Sequence, residues 1–192
     1  MVYWIGSGNM MQFFSKTNLF MIGFLVFMMC LTRGSHVLTE FSLPDASLII
    51  FLFLGMFIPS ILLFVLFFIL TVVIDFGSGF FNNGLALCLT DGYWGLIPTY
   101  LVMFYTGKII KNNIMKFNLF FLLVLAATTL AFMISTNTYY MFSDRFGNPN
   151  LLTSMQYGWN YYPEYLLPNL IYATILFVFN TQDLKSYLYK LR

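Results

Sequence analysis

The sequence predicts an all-α integral membrane protein: one domain, residues 1–192, of six transmembrane helices with both termini cytoplasmic. Three observations carry that expectation: composition, the spacing of apolar runs, and the partition of basic residues between alternate loops. Hydrophobic residues make up 60% of the 192 and charged residues 8%, with a mean hydropathy of +0.81. An average soluble domain is about 25% charged. Twenty-four phenylalanines against seven acidic residues leave too little polar surface to cover a soluble core without large apolar patches. The net charge of +2 says less than where the charges lie.

A membrane-crossing helix needs about 20 mostly apolar residues, with roughly 17–25 observed. The first run, 17–32, is followed by no small-residue A-x-A site, so it reads as a retained span rather than a cleaved signal peptide. Runs 46–58 and 60–74 lie inside "LIIFLFLGMFIPSILLFVLFFILTVVI". That stretch is either one long helix kinked at Pro59 or two short helices turning at Pro59-Ser60, and hydropathy alone does not decide. Runs 93–107, 117–135 and 165–181 complete the set.

Charge decides. A hairpin at Pro59 gathers Lys16, Lys108, Lys111, Lys116, Lys185, Lys190 and Arg192 on one side. The other side then holds Arg33 and Arg145, together with Glu40, Asp45, Asp75, Asp91, Asp144 and Glu164. One kinked helix would scatter the lysines across both sides. The positive-inside rule therefore selects six spans with the lysine-rich side cytoplasmic. Pro59 suits the turn because it lacks a backbone donor and stops a helix.

The polar residues of distinctive chemistry fall on the opposite, outer side. His36 sits in "TRGSHVLTEFSLPDAS", Asp75 ends span three, and "NNGLALCLTDGYWG" brings Cys88, Asp91, Tyr93 and Trp94 ahead of span four. The aromatic run at 156–162 precedes span six. Each has a plain structural reading. A free cysteine behaves as a small buried hydrophobe, and Tyr and Trp populate the interfacial aromatic belt. Asp45, after Pro44, reads as an N-cap of span two. Asp75 differs, because a carboxylate at the end of an apolar run is costly unless it faces a cavity or partner. Taken together, a thiolate and an imidazole suit a soft or borderline metal, and an aromatic, amide-rich lining suits a bulky uncharged ligand. Cys30 and Cys88 show no zinc spacing, and a disulfide between them stays open. The sequence contains no P-loop, since "YTGK" lacks the upstream glycine. No charge falls well inside a span to serve as a proton or sodium relay.

The stretches "SHVLTEFSLPDASLIIFLFLGMF", "VVIDFGSGFFNNGLALCLTDGYWGLIPTYLVMFYTGK", "RFGNPN" and "YYPEYLLPNLIYA" resemble the BtuM family of small bacterial cobalamin transporters. These are S-components of the energy-coupling-factor (ECF) type, often without a dedicated coupling module. The similarity runs from about residue 33 to the C-terminus and is most specific in the Asp75, Cys88 and Tyr93 spacing with His36 upstream. It implies an S-component-like bundle in the bacterial cytoplasmic membrane, with a corrinoid pocket facing outward. It further implies a Cys88 thiolate on the cobalt of the transported cobalamin, and removal of cyanide from cyanocobalamin promoted by that thiolate. His36, Asp75 and Tyr93 would line the pocket or support the cobalt geometry, and Trp94 with the 156–162 aromatics would pack the corrin ring. S-components often dock an ECF module, a transmembrane subunit with ATPases, through an A-x-x-x-A face. Span one lacks that pair, and Ala127 and Ala131 carry the spacing in span five. Coupled and solitary operation both stay open. So do two rival readings: a membrane accessory or assembly subunit that docks another protein, and an S-component for a different vitamin.

Overall fold

The computed structural model describes residues 16–33, 44–81, 90–111, 117–144, 146–147 and 149–190. They form α1 (Lys16–Arg33), α2 (Ser47–Phe57), α3 (Ile61–Phe81), α4 (Leu96–Lys111), α5 (Phe117–Phe142), α6 (Leu151–Gly158) and α7 (Tyr162–Lys190). Short 3-10 turns occupy Asp91–Gly95 and Trp159–Tyr161, and no strand occurs among the described residues. The molecule is an all-helical bundle, as expected, and the six apolar runs each seed one of the longer helices. Several helices outrun their apolar cores. In α5 the polar residues 136–138 stay helical because Asn137 Nδ2 bonds the Met133 carbonyl at 2.8 Å and Thr138 Oγ1 that of Ile134 at 2.9 Å. Such bonding back into the preceding turn lets short polar side chains remain in a helix.

The helix breaks at Pro59. Residues 58–60 are non-helical, with the Ser60 amide donating to the Ile58 carbonyl at 2.6 Å. Whether the chain then reverses is answered by one side chain. Arg33 binds Asp45, just before α2, and Asp75, deep in α3. Both carboxylates reach one guanidinium only if α3 climbs back to the level where α2 began. At about 1.5 Å per residue, the fourteen residues from Asp45 to Pro59 and the sixteen from Pro59 to Asp75 make matching legs. The hairpin expected from charge is the structure found.

The remaining pairs follow the same alternation. Thr129 meets Tyr162 at 2.8 Å and Phe120 meets Phe177 at a ring separation of 5.0 Å, so α5 and α7 run antiparallel. At the centre is α2, with nine of its eleven residues buried, which explains its lack of helical periodicity: a helix apolar all round is an interior one. It crosses α4 at Gly55 and Gly107. A Cβ on Gly55 would overlap the Phe104 carbonyl, and one on Gly107 the Leu52 carbonyl, so backbone meets backbone and only glycine fits.

Ala127 and Ala131 are 6% and 0% exposed within the core. Their small-residue face is consumed inside the chain and is not offered to a coupling subunit. The outer surface of the bundle is apolar instead: Phe20, Phe24 and Phe27 of α1, and Ile61, Val65, Ile69 and Val73 of α3, are all exposed. Among the described residues α5 is the helix long and apolar enough to cross a membrane, and 33% of its apolar window is buried. The apolar parts of α1, α2 and α3 are shorter.

Candidate functional site

The end of the bundle at which α1 finishes and α2 begins carries the polar chemistry. Arg33, the last residue of α1, sends Nε and Nη2 to the two oxygens of Asp75, both at 2.6 Å, in a bidentate pair. Its Nη1 donates to Asp45 Oδ2 at 2.8 Å, Ser47 Oγ at 3.0 Å and Tyr100 Oη at 2.8 Å. One side chain thus ties α1 to α2, α3 and α4. Tyr100 is set for this role by stacking on Phe51, with ring centroids 4.3 Å apart and planes 15° from parallel.

Tyr93 adds a further bond, its hydroxyl donating to Asp75 Oδ2 at 2.8 Å. It is aimed by the Asp91–Gly95 turn, which presses on α5 where Gly92 and Gly95 touch Thr138 with no room for a Cβ. Burial, with the Asp75 charge and hydrogen bond behind it, pushes the Tyr93 phenol far above its ordinary range. It therefore stays a neutral donor. The Arg33 and Asp75 side chains are 13% and 16% exposed and Asp45 47%, so the Asp75 pair is the desolvated half of the network. Every guanidinium nitrogen is engaged by the protein, which leaves Arg33 poorly placed to capture a phosphate.

Above this network opens a cleft of about 560 Å3, a size suited to small-molecule ligands. Arg33, Asp75 and Tyr93 form part of its wall, with Phe132, Tyr139, Tyr140, Phe146, Tyr161 and Tyr165. Among the described residues Arg33 and Asp75 are the charged side chains on that wall, and they neutralise each other.

Of the residues singled out from sequence, Asp75 and Tyr93 are brought together, hydrogen-bonded, on the cleft wall. Trp94 is 69% exposed and is not among the residues that line this cleft. In a 3-10 turn adjacent side chains diverge by about 120°, so aiming Tyr93 inward turns Trp94 outward. From 156–162, Tyr161 reaches the cleft, while Trp159 stacks on Tyr162 at 5.0 Å and is 55% exposed. Asp45 makes the expected bond to the start of α2, its Oδ1 accepting from the Ser47 amide at 2.9 Å, although the capping position itself is Ala46, and its Oδ2 also holds Arg33.

His36 and Cys88, and with them the expected cobalt ligand, lie outside the described residues, as does Arg145. Among the described residues no group of three His, Cys, Asp or Glu side chains could hold a metal ion. Cys30 is a free, exposed thiol on α1. The sequence reading missed Arg33 as the hub. Its signal was there: an arginine ending a span on the side the charge rule disfavours, with carboxylates of Asp45 and Asp75 on that same side. It also missed Tyr139 and Tyr140, which the helical extension of α5 carries to the cleft. Neither a protein-family model nor a curated protein matches the chain.

Proposed function

We propose that this chain is a six-span membrane protein of the S-component type that binds cobalamin in the Arg33–Asp75–Tyr93 cleft and serves its uptake. The observation that carries the reading is the meeting of Asp75 and Tyr93. They are two of the residues the resemblance assigns to a corrinoid pocket, they are far apart in sequence, and they share a hydrogen bond on the wall of the aromatic cleft. Cys88 stands five residues before Tyr93 and would supply the axial thiolate, lowered below the usual value of about 8.5 by the metal's charge. An aromatic wall whose charged pair is mutually neutralised favours a large ligand of little net charge over an anion.

Membrane placement is supported by the exposed apolar stripes of α1 and α3, by α5, and by Trp94 and Trp159 exposed beside the cleft, where an interfacial belt would lie. Lysine partition supports a cleft that faces the outer side of a bacterial cytoplasmic membrane. The buried Ala127 and Ala131 favour solitary operation, or coupling to an ECF module through another surface. The test is equilibrium binding of cyanocobalamin to the purified protein. Asp75→Asn and Tyr93→Phe should each weaken it by about 10- to 100-fold, the usual cost of losing a supporting group around a metal centre. Undiminished affinity in both variants would move the ligand elsewhere.

A further inference from the structure

Helix α6 belongs to none of the apolar runs, and its eight residues carry no charge. It starts where the Asn150 side chain accepts from the Thr153 amide at 2.9 Å, an N-cap. Successive residues turn by about 100° around a helix axis, which sorts its side chains into three faces. Ser154 and Gly158 are buried, with Gly158 set against Thr136 of α5 where a Cβ would not fit. On one flank lie Leu151, Leu152 and Met155, with Trp159 one turn beyond Met155. Leu151 and Leu152 are 62% and 69% exposed, and Trp159 is exposed too, while Met155 is half-buried and takes a bond from Asn137 Nδ2 at 3.1 Å. On the other flank lie Thr153 and Gln156, and past them Tyr157, whose ring packs on Tyr140 and Phe146 of the cleft wall.

One exposed leucine needs no explanation, but two leucines in line with an exposed tryptophan form a contiguous apolar patch. An apolar flank beside a polar one is the pattern of a helix seated between lipid headgroups and acyl chains. Two features favour lipid over a protein as the cover. The first is continuity. Trp159 stacks on Tyr162, the first residue of α7, and α7 continues with exposed Leu167, Ile171 and Ile175 at four-residue spacing along one face. The second is charge. With none on α6, nothing there steers or registers a protein partner, whereas leucine and tryptophan enter a neutral interface without it.

We infer that the Leu151–Leu152–Trp159 flank of α6 is seated in the outer leaflet at the level of the headgroups of zwitterionic lipid. The seat fixes the depth of the cleft mouth, because Gly158 lines the cleft and Tyr157 braces its aromatic wall. The inference rests on the membrane placement proposed above and is independent of which ligand the cleft takes.

The experiment places a bimane fluorophore at Leu152→Cys, Gln156→Cys or Ile171→Cys of the full-length, otherwise cysteine-free protein in phosphatidylcholine nanodiscs. All three positions are exposed, so the variants should fold. Quenching is read with nitroxide lipids labelled at the headgroup or at mid-chain, and with aqueous iodide. At Leu152→Cys the headgroup nitroxide should quench at least about two-fold more than the mid-chain one, and at least about two-fold more than it does at Gln156→Cys. Ile171→Cys should show the opposite depth preference. High salt or added phosphatidylglycerol should change none of this. Quenching of Leu152→Cys by iodide and by neither nitroxide, with Ile171→Cys still quenched at mid-chain, would overturn the seat and leave the patch to a protein partner. Stronger mid-chain quenching at Leu152→Cys, or quenching lost at high salt, would overturn it as well. If Ile171→Cys responds to neither nitroxide, the membrane placement itself fails and the seat falls with it.

Discussion

Replacing Arg33 by methionine keeps the length of the side chain and removes the charge that Asp45 and Asp75 share. The consequences differ for the two carboxylates. Asp45 is 47% exposed and can return to solvent, so its pairing is worth at most about 1 kcal/mol. Asp75 is 16% exposed and loses a bidentate partner, keeping the Tyr93 hydroxyl. Removing one member of a buried pair costs about 3–5 kcal/mol, and the partial exposure of Asp75 places the expectation near the lower figure. For a chain of this size, about 3 kcal/mol corresponds to a fall in Tm of roughly 6–12 °C, readable as loss of helical circular dichroism on heating in detergent or nanodiscs. The double variant Arg33→Met with Asp75→Asn should recover much of the loss, because no unpaired charge is left behind. A Tm for Arg33→Met within about 1 °C of wild type, or strictly additive effects in the cycle, would refute the hub.

Other expectations follow from the same geometry. Gly55→Leu should abolish the α2–α4 crossing and the folded yield, whereas Gly77→Leu, at a position with open space around its Cβ, should be tolerated. Tyr93→Phe should cost about 1.5–3 kcal/mol, as for a hydrogen bond to a charged group. Because the phenol's value is raised in the folded state, its contribution is fully present below the ordinary value of about 10 and is lost as pH rises beyond it. The alkaline limb of the wild-type stability profile should therefore be steeper than that of Tyr93→Phe. In a cysteine-free background, Ser60→Cys and Lys111→Cys should label with an impermeant maleimide from one side of the membrane and Asp91→Cys from the other. Labelling of Ser60→Cys with Asp91→Cys would break the hairpin topology. Trp94→Ala should leave cobalamin affinity within about two-fold of wild type.

The fold was legible in the sequence because its two strongest signals are one-dimensional. Apolar runs locate the helices, and the hairpin at Pro59 is legible in the positions of Lys108, Lys111 and Lys116. Helix ends were less legible. Hydropathy stops at polar residues such as Asn137 and Thr138, although the backbone continues by bonding their side chains back to earlier carbonyls. Within the site, Asp75 could be singled out because a carboxylate at the end of an apolar run carries an energetic penalty that requires a partner. Its partner could not, since Arg33 sits 42 residues away and pairs only once α1 and α3 are packed side by side. Tyr93 and Trp94 look equivalent in sequence until the turn that carries them fixes which one faces the cleft.

A corrinoid held by the residues around Asp75 and Tyr93 with a sulfur on its cobalt would absorb differently from the free vitamin. The most direct measurement is the visible absorption spectrum of cyanocobalamin bound to the purified protein and to Cys88→Ala. A displaced spectrum with wild type, reverting to that of the free vitamin in Cys88→Ala, is what the account predicts. A bound spectrum indistinguishable between the two proteins, or no retention of the vitamin by wild type, would contradict it.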